Sequence, residues 1–221
     1  MSDDTFIREV NEEIRQDQAK ALWDRFGPAI LGLALLVVVG TAAWVGYDYW
    51  VTSKANAAGD DFAQALQLAK DGKNDEALAA LKALETEGYG AYPVLARFRS
   101  ATVLADKGDA KGAVESFDAV AADGAIPMSL RDMARLRAAY LLVDTGTYAD
   151  VAQRAEQLSA DTNPLRASAR EALGLSAWKE GKSIDALKLF EQVMNDEEAP
   201  QNARDRATMM VELLRGSGVK S

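Results

Sequence analysis

Residues 65–84 read A-L-Q-L-A-K-D-G-K-N-D-E-A-L-A-A-L-K-A-L. On both sides of Gly72 apolar residues recur at spacings of three and four, the period of an α-helix with one buried face. Gly72 itself sits between Asp71 and Lys73, where glycine supplies the left-handed residue on which a helix ends. The stretch therefore predicts a helix, a tight turn, and a second helix packed back antiparallel on the first.

The same frame returns along the chain. Gly72, Gly108, Gly146 and Gly181 are spaced 36, 38 and 35 residues apart. Seven residues before each stands a small residue (Ala65, Ala101, Ala139, Gly174), which lets the partner helix approach closely. Four before each stand Leu68, Leu104, Leu142 and Ala177. Five after come Ala77, Ala113, Val151 and Ala186; nine after, Leu81, Phe117, Ala155 and Phe190; twelve after, Leu84, Val120, Leu158 and Val193. Pro93, Pro127, Pro164 and Pro200 keep their own spacing of 34, 37 and 36 residues, each ahead of the next first helix, where proline is tolerated. A last helix, Ala203 to Leu214, has no second helix after it. With Asp205, Arg206 and Glu212 on a wet side and Ala207, Met210, Val211 and Leu214 on a dry one, it reads as a cap. The fold class is all-α: four helical hairpins plus a C-terminal capping helix over residues 50–215, then a flexible tail at 216–221.

Upstream, residues 26–47 read F-G-P-A-I-L-G-L-A-L-L-V-V-V-G-T-A-A-W-V-G-Y without a charge. At about 1.5 Å rise per residue, some 20 residues cover the ~30 Å hydrocarbon layer of a bilayer. Trp23 and Phe26 flank one end and Trp44, Tyr47, Tyr49 and Trp50 the other, as interfacial anchoring requires. A transmembrane helix is expected at 27–49, with Gly27 to Tyr47 in lipid and Pro28 in its first turn. Ala55-Asn56-Ala57 resembles a signal cleavage site, but the long acidic lead-in and long apolar core favour an uncleaved anchor. Arg8, Arg15, Lys20 and Arg25 precede the span, against Lys54 and Lys70 after it, which favours an inside N-terminus and an outside repeat domain. Residues 1–26 would then be a cytoplasmic tail, amphipathic through Phe6, Ile7, Val10 and Ile14.

Composition narrows the function. The chain has 221 residues and a net charge of −9, with no extended basic run, so nucleic acid is not an expected partner. It has no Cys and no His, which removes thiol nucleophiles, disulfides and imidazole chemistry. No P-loop, nucleophile elbow or dinucleotide fingerprint appears. Asn195-Asp196-Glu197-Glu198 lacks the spacing and glycine of a calcium loop. The expectation is no enzyme, no cofactor and no metal. The candidate partner-binding surface consists of Arg97, Arg135 and Arg170, which recur eleven residues before a turn glycine, with Tyr140 and Trp178. The arginines either bind carboxylates of a partner, pair with neighbouring acids between repeats, or lie solvated. Tyr92, Phe98, Tyr140, Tyr148 and Trp178 are aromatic anchors or core.

The small residue at 65, 101, 139 and 174, the turn glycine and the alanine-like position five later resemble tetratricopeptide repeats. The period is longer and uneven, and arginine stands at 97, 135 and 170 where the repeat usually has a large apolar residue. The whole order is an acidic tail, W-D-R-F-G-P at 23–28, one span ending G-Y-D-Y-W, then a four-hairpin array. It resembles the family of the ancillary subunit of the bacterial Sec translocon (YfgM-like). That resemblance implies an inner-membrane protein with a periplasmic repeat domain, associated with translocon subunits, a periplasmic chaperone and exported chains. A cell-envelope assembly or division scaffold is the alternative.

Overall fold

The structure, a computed structural model, describes residues 3–219; among residues 3–19 the side chains described are those of Glu12 and Arg15. Every regular element among the described residues is helical. Helix α1 runs Asp3–Lys70, and the chain divides into two compact units, the first ending at Asn56 and the second beginning at Ala57.

The first unit is α1 up to residue 56. Its apolar stretch has a mean hydropathy of 2.3 and is long and apolar enough to cross a membrane. Leu31, Leu36, Val38, Trp44 and Tyr49 all stand exposed. Thr41 hides its hydroxyl by donating to Val37 O at 2.8 Å, so the stretch carries no unmet side-chain donor there. The expectation for Pro28 is corrected: the helix begins at Asp3, so Pro28 lies inside it and not in a first turn. The helix-forming lead-in continues straight into the apolar run, and proline removes one backbone donor without ending it. The tail is helical, while its stripe of Phe6, Ile7, Val10 and Ile14 lies outside the described side chains.

The second unit is the array. After the end of α1 come α2 (Asn74–Glu87), α3 (Tyr92–Asp106), α4 (Ala110–Ala122), α5 (Met128–Thr145) and α6 (Tyr148–Ala155), which tightens into a 3-10 turn at Glu156–Ser159. Then follow α7 (Arg166–Lys179), α8 (Ser183–Met194) and α9 (Gln201–Gly216). Gly72, Gly108 and Gly181 have φ of 77°, 91° and 76°. At each, the glycine and the next residue return their N–H groups to the last turn of the helix: Gly72 to Ala69 O and Lys73 to Leu68 O, for example. This is the paired closure that a left-handed glycine permits.

Gly146 breaks the pattern and corrects the expectation of four left-handed glycines. Its φ is −109°, and the turn is held from the other side, where Thr147 and Asp150 cap α6 reciprocally. A Cβ there would lie 2.9 Å from Leu142 Cδ2 and 3.1 Å from its carbonyl oxygen, so a larger residue would push the Leu142 side chain aside. Gly218, at φ 89°, repeats the left-handed closure after α9, with Val219 N–H returning to Leu214 O.

Four apolar cores lie along the array, and each is built alike. A second helix is held between its own first helix and the first helix of the next repeat. Leu81 and Leu84 of α2 meet Ala65 of α1 and Val103 of α3; Phe117 of α4 meets Ala101 of α3 and Ala134 of α5. Val151 of α6 meets Ala139 and Ala172; Phe190 of α8 meets Ala177 and Val211. The last helix is therefore the wall that closes the fourth core, which explains a first helix with no second. Gly174 shows why the small position matters, since a Cβ there would lie 2.9 Å from Cζ of Phe190.

Candidate functional site: the faces of the first helices

The three frame-related arginines are all engaged within the array. Arg97 donates to Asp123 Oδ2 at 2.6 Å and to Ala119 O at 3.1 Å. Arg135 donates to Asp132 Oδ1 at 2.6 Å, and Arg170 to Ser159 O at 3.0 Å and to Asp161. Arg166, at the start of α7, grips Asp196 with two bonds of 2.7 and 2.8 Å and reaches Glu198 at 2.7 Å. Each of the three thus pairs with an acid of this chain, Arg97 within its own repeat, Arg135 along its own helix and Arg170 across to the previous repeat.

The acids themselves form a periodic signal that the glycine frame contains and that sequence reading missed. Fifteen residues after each turn glycine stand Glu87, Asp123, Asp161 and Asp196. Asp123 and Asp196 also accept backbone N–H groups from Ala125 and Glu198. The Arg97 guanidinium and that backbone bond hold the Asp123 carboxyl below its ordinary value, and Arg166 does the same for Asp196. These pairs tie the end of a second helix to the start of a first helix. Glu87 makes no such pair among the described residues.

A second network crosses α5, α7 and α9. Glu171, buried on α7, accepts from Arg206 Nε at 2.5 Å and from its Nη2 at 2.7 Å. The Tyr140 hydroxyl lies 3.1 Å from Ser168 O and 3.2 Å from Glu171 Oε2. Burial, then the Glu171 charge, pushes the Tyr140 phenol up to about 12. Arg206, read as the wet side of a cap, thus spans half-exposed surface and a buried carboxylate. Spacing carries no signal for it, because the partners sit on three different helices.

The aromatic candidates separate. Tyr92 meets Phe62 at a tilt of 54° with ring centres 5.9 Å apart, and Phe98 meets Phe117 edge-on at 5.9 Å. Tyr148 lies under the Lys182 ammonium, 4.5 Å from its ring centre. Trp178 alone of the five is exposed, at 45%, with Met209 and Leu213 of α9 also exposed. Among the described residues no group of carboxylates is placed to hold a metal ion. The clefts are open, and one of about 470 Å³ is lined by Asp161, Arg166, Arg170, Gln192, Asn195 and Asp196. What such an array offers is an extended side-chain surface for protein partners.

Comparison with known proteins returns no matching curated protein and no matching solved structure. The family model described as a tetratricopeptide repeat-like domain matches residues 20–216, taking in the apolar stretch and the whole array together. The chain belongs to the tetratricopeptide repeat-like domain family.

Proposed function

We propose that this protein is a membrane-anchored, protein-binding scaffold, acting as an accessory factor of the Sec translocon and the periplasmic chaperone network. One observation carries the reading: an apolar helix of spanning length and a helical-hairpin array lie in one chain and within one family match. The anchor confines the array to the membrane plane, which raises its effective concentration near membrane partners without any new contact. The translocon assignment is supported by the resemblance of tail, span and array taken in order. In this reading the protein sits in the bacterial inner membrane, with a cytoplasmic N-terminus and a periplasmic array. Its partners are translocon subunits, a periplasmic chaperone and exported chains.

Two experiments test it. Protease added to spheroplasts is expected to digest the array; protection until lysis overturns the orientation. Photo-crosslinking in intact cells, from residues on the array surface such as Trp178, is expected to trap translocon subunits or a periplasmic folding factor. Capture of division or outer-membrane assembly proteins instead would favour the envelope-scaffold alternative.

A further inference from the structure

The array contains eleven arginines, and eight donate hydrogen bonds inside it. Arg131, whose Nε is likewise shut off without an acceptor, has the Asp123 carboxylate as its charge neighbour. That leaves Arg99 on α3 and Arg137 on α5, which make no hydrogen bond or ion pair among the described residues. Arg99 is partly buried, and its Nε is shut off from solvent with no acceptor. Arg137 is exposed.

These two residues hold the same position of successive repeats, nine residues before Gly108 and Gly146. One helical turn earlier stand Leu95 and Met133, both exposed, at 39% and 37%. Helices α3 and α5 both pack on α4 within one core, so the two Leu/Met–Arg pairs belong to neighbouring first helices of one stack. The fourth repeat drops the pattern, with Ser168 and buried Ala172 in those places. The surface is thus local to repeats two and three.

We propose that this face binds an acidic amphipathic segment of a partner protein, its carboxylates on Arg99 and Arg137 and its apolar residues on Leu95 and Met133. Charge complementarity commits the occupant to being anionic. The terminal guanidinium nitrogens of Arg99 and Arg137, which no acceptor among the described residues fills, can give a partner carboxylate two bonds at once. The exposed apolar side chain one turn before each arginine asks for a ligand that alternates acid and apolar side chains. A bare anionic bilayer is disfavoured, because the chain carries a net charge of −9.

The inference rests on the scaffold reading and narrows it to one face. The test uses the full chain in neutral-lipid nanodiscs and a fluorescent synthetic peptide of alternating Glu and Leu, with a Lys-for-Glu version as control. The Glu peptide is expected to bind and the Lys peptide not to. An Arg99→Gln/Arg137→Gln chain is expected to lose about tenfold or more in affinity, as removal of two charge-assisted contacts implies. Should the double variant unfold, the exposed Arg137→Gln alone is expected to weaken binding severalfold. Equal binding of the Lys peptide, an unchanged affinity in the variants, or binding only to anionic vesicles overturns the proposal. Crosslinks in cells that arise from Trp178 but never from Leu95 or Met133 sink this face and leave the scaffold intact. No protein crosslink from any array position sinks the scaffold itself.

Discussion

At Gly174 the tolerances of the stack are measured by a single hydrogen. Alanine in a helix interior is ordinarily favoured over glycine by about 1 kcal/mol. Here the added Cβ would meet Phe190 Cζ at 2.9 Å and its neighbours at 3.1 Å, in the fully packed fourth core. Overpacking of that kind costs about 1–3 kcal/mol, so steric strain wins over propensity. Gly174→Ala is expected to lower the urea midpoint, and adding Phe190→Leu to recover part of it; a raised midpoint in the single variant would remove the close-approach argument. The Glu171 carboxylate gives a second test at this scale. Arg206→Leu leaves it buried without its guanidinium, a loss of about 2–3 kcal/mol. Glu171→Gln removes a charge that helps hold Tyr140 near 12, so the phenol should titrate lower by ultraviolet difference spectroscopy. The frame made Ala65, Ala101, Ala139 and Gly174 legible in the sequence, because steric need at one register recurs every repeat. It could not show Tyr140–Glu171–Arg206, which happens once and joins three helices.

Helix ends are where the array departs from a simple reading of its punctuation. Three of the four turn glycines take the left-handed conformation that the sequence implies, while Gly146 hands the work to the Thr147–Asp150 cap. The left-handed closure fills carbonyls at the end of one helix and the capping box fills N–H groups at the start of the next, and the spacing alone does not distinguish them. The acids fifteen residues after each glycine were equally present in the sequence, yet their meaning depends on which arginine reaches them. Arg97 bonds the acid of its own repeat, while Arg170 reaches back to Asp161 in the previous one. These clamps set a pH dependence. Asp123, Asp150, Glu180 and Asp196 all have carboxyls held below their ordinary values, by Arg97, Thr147, Lys182 and Arg166 in turn. A depressed folded value means that the unfolded chain binds more protons as pH falls. The stabilisation is therefore complete above the unfolded value near 4 and is lost as pH drops through the lower folded values. Thermal midpoints are expected to fall across that acid window, and Asp123→Asn with Asp196→Asn to flatten the slope. An unchanged slope in the double variant would assign acid loss to other groups.

For the molecule as a whole, the repeat logic makes stability additive along the array and separable from the anchor. Each core is complete once the next first helix is in place, and α9 completes the last. All four cores lie within the unit that begins at Ala57, and Ala58 is the earliest residue in any of them. The apolar stretch upstream contributes no side chain to these cores, and it is long and apolar enough to cross a membrane. A chain beginning at residue 51 should therefore fold in water, with a helical spectrum and a cooperative urea transition, and should leave membranes on carbonate washing. The full chain should resist that wash. Deleting α9 from the shortened chain is the sharper comparison. It uncovers Phe190, Leu187 and Val193, and each buried side chain of that size is worth about 1.5–3 kcal/mol. The loss should be concentrated in α7 and α8, because solenoid repeats feel mainly their neighbours. Hydrogen exchange should then rise in residues 166–194 and hardly change in α2 to α4. Uniform loss of protection from α2 to α8 would mean that the array unfolds as one unit and that its four cores are not the independent steps their construction implies.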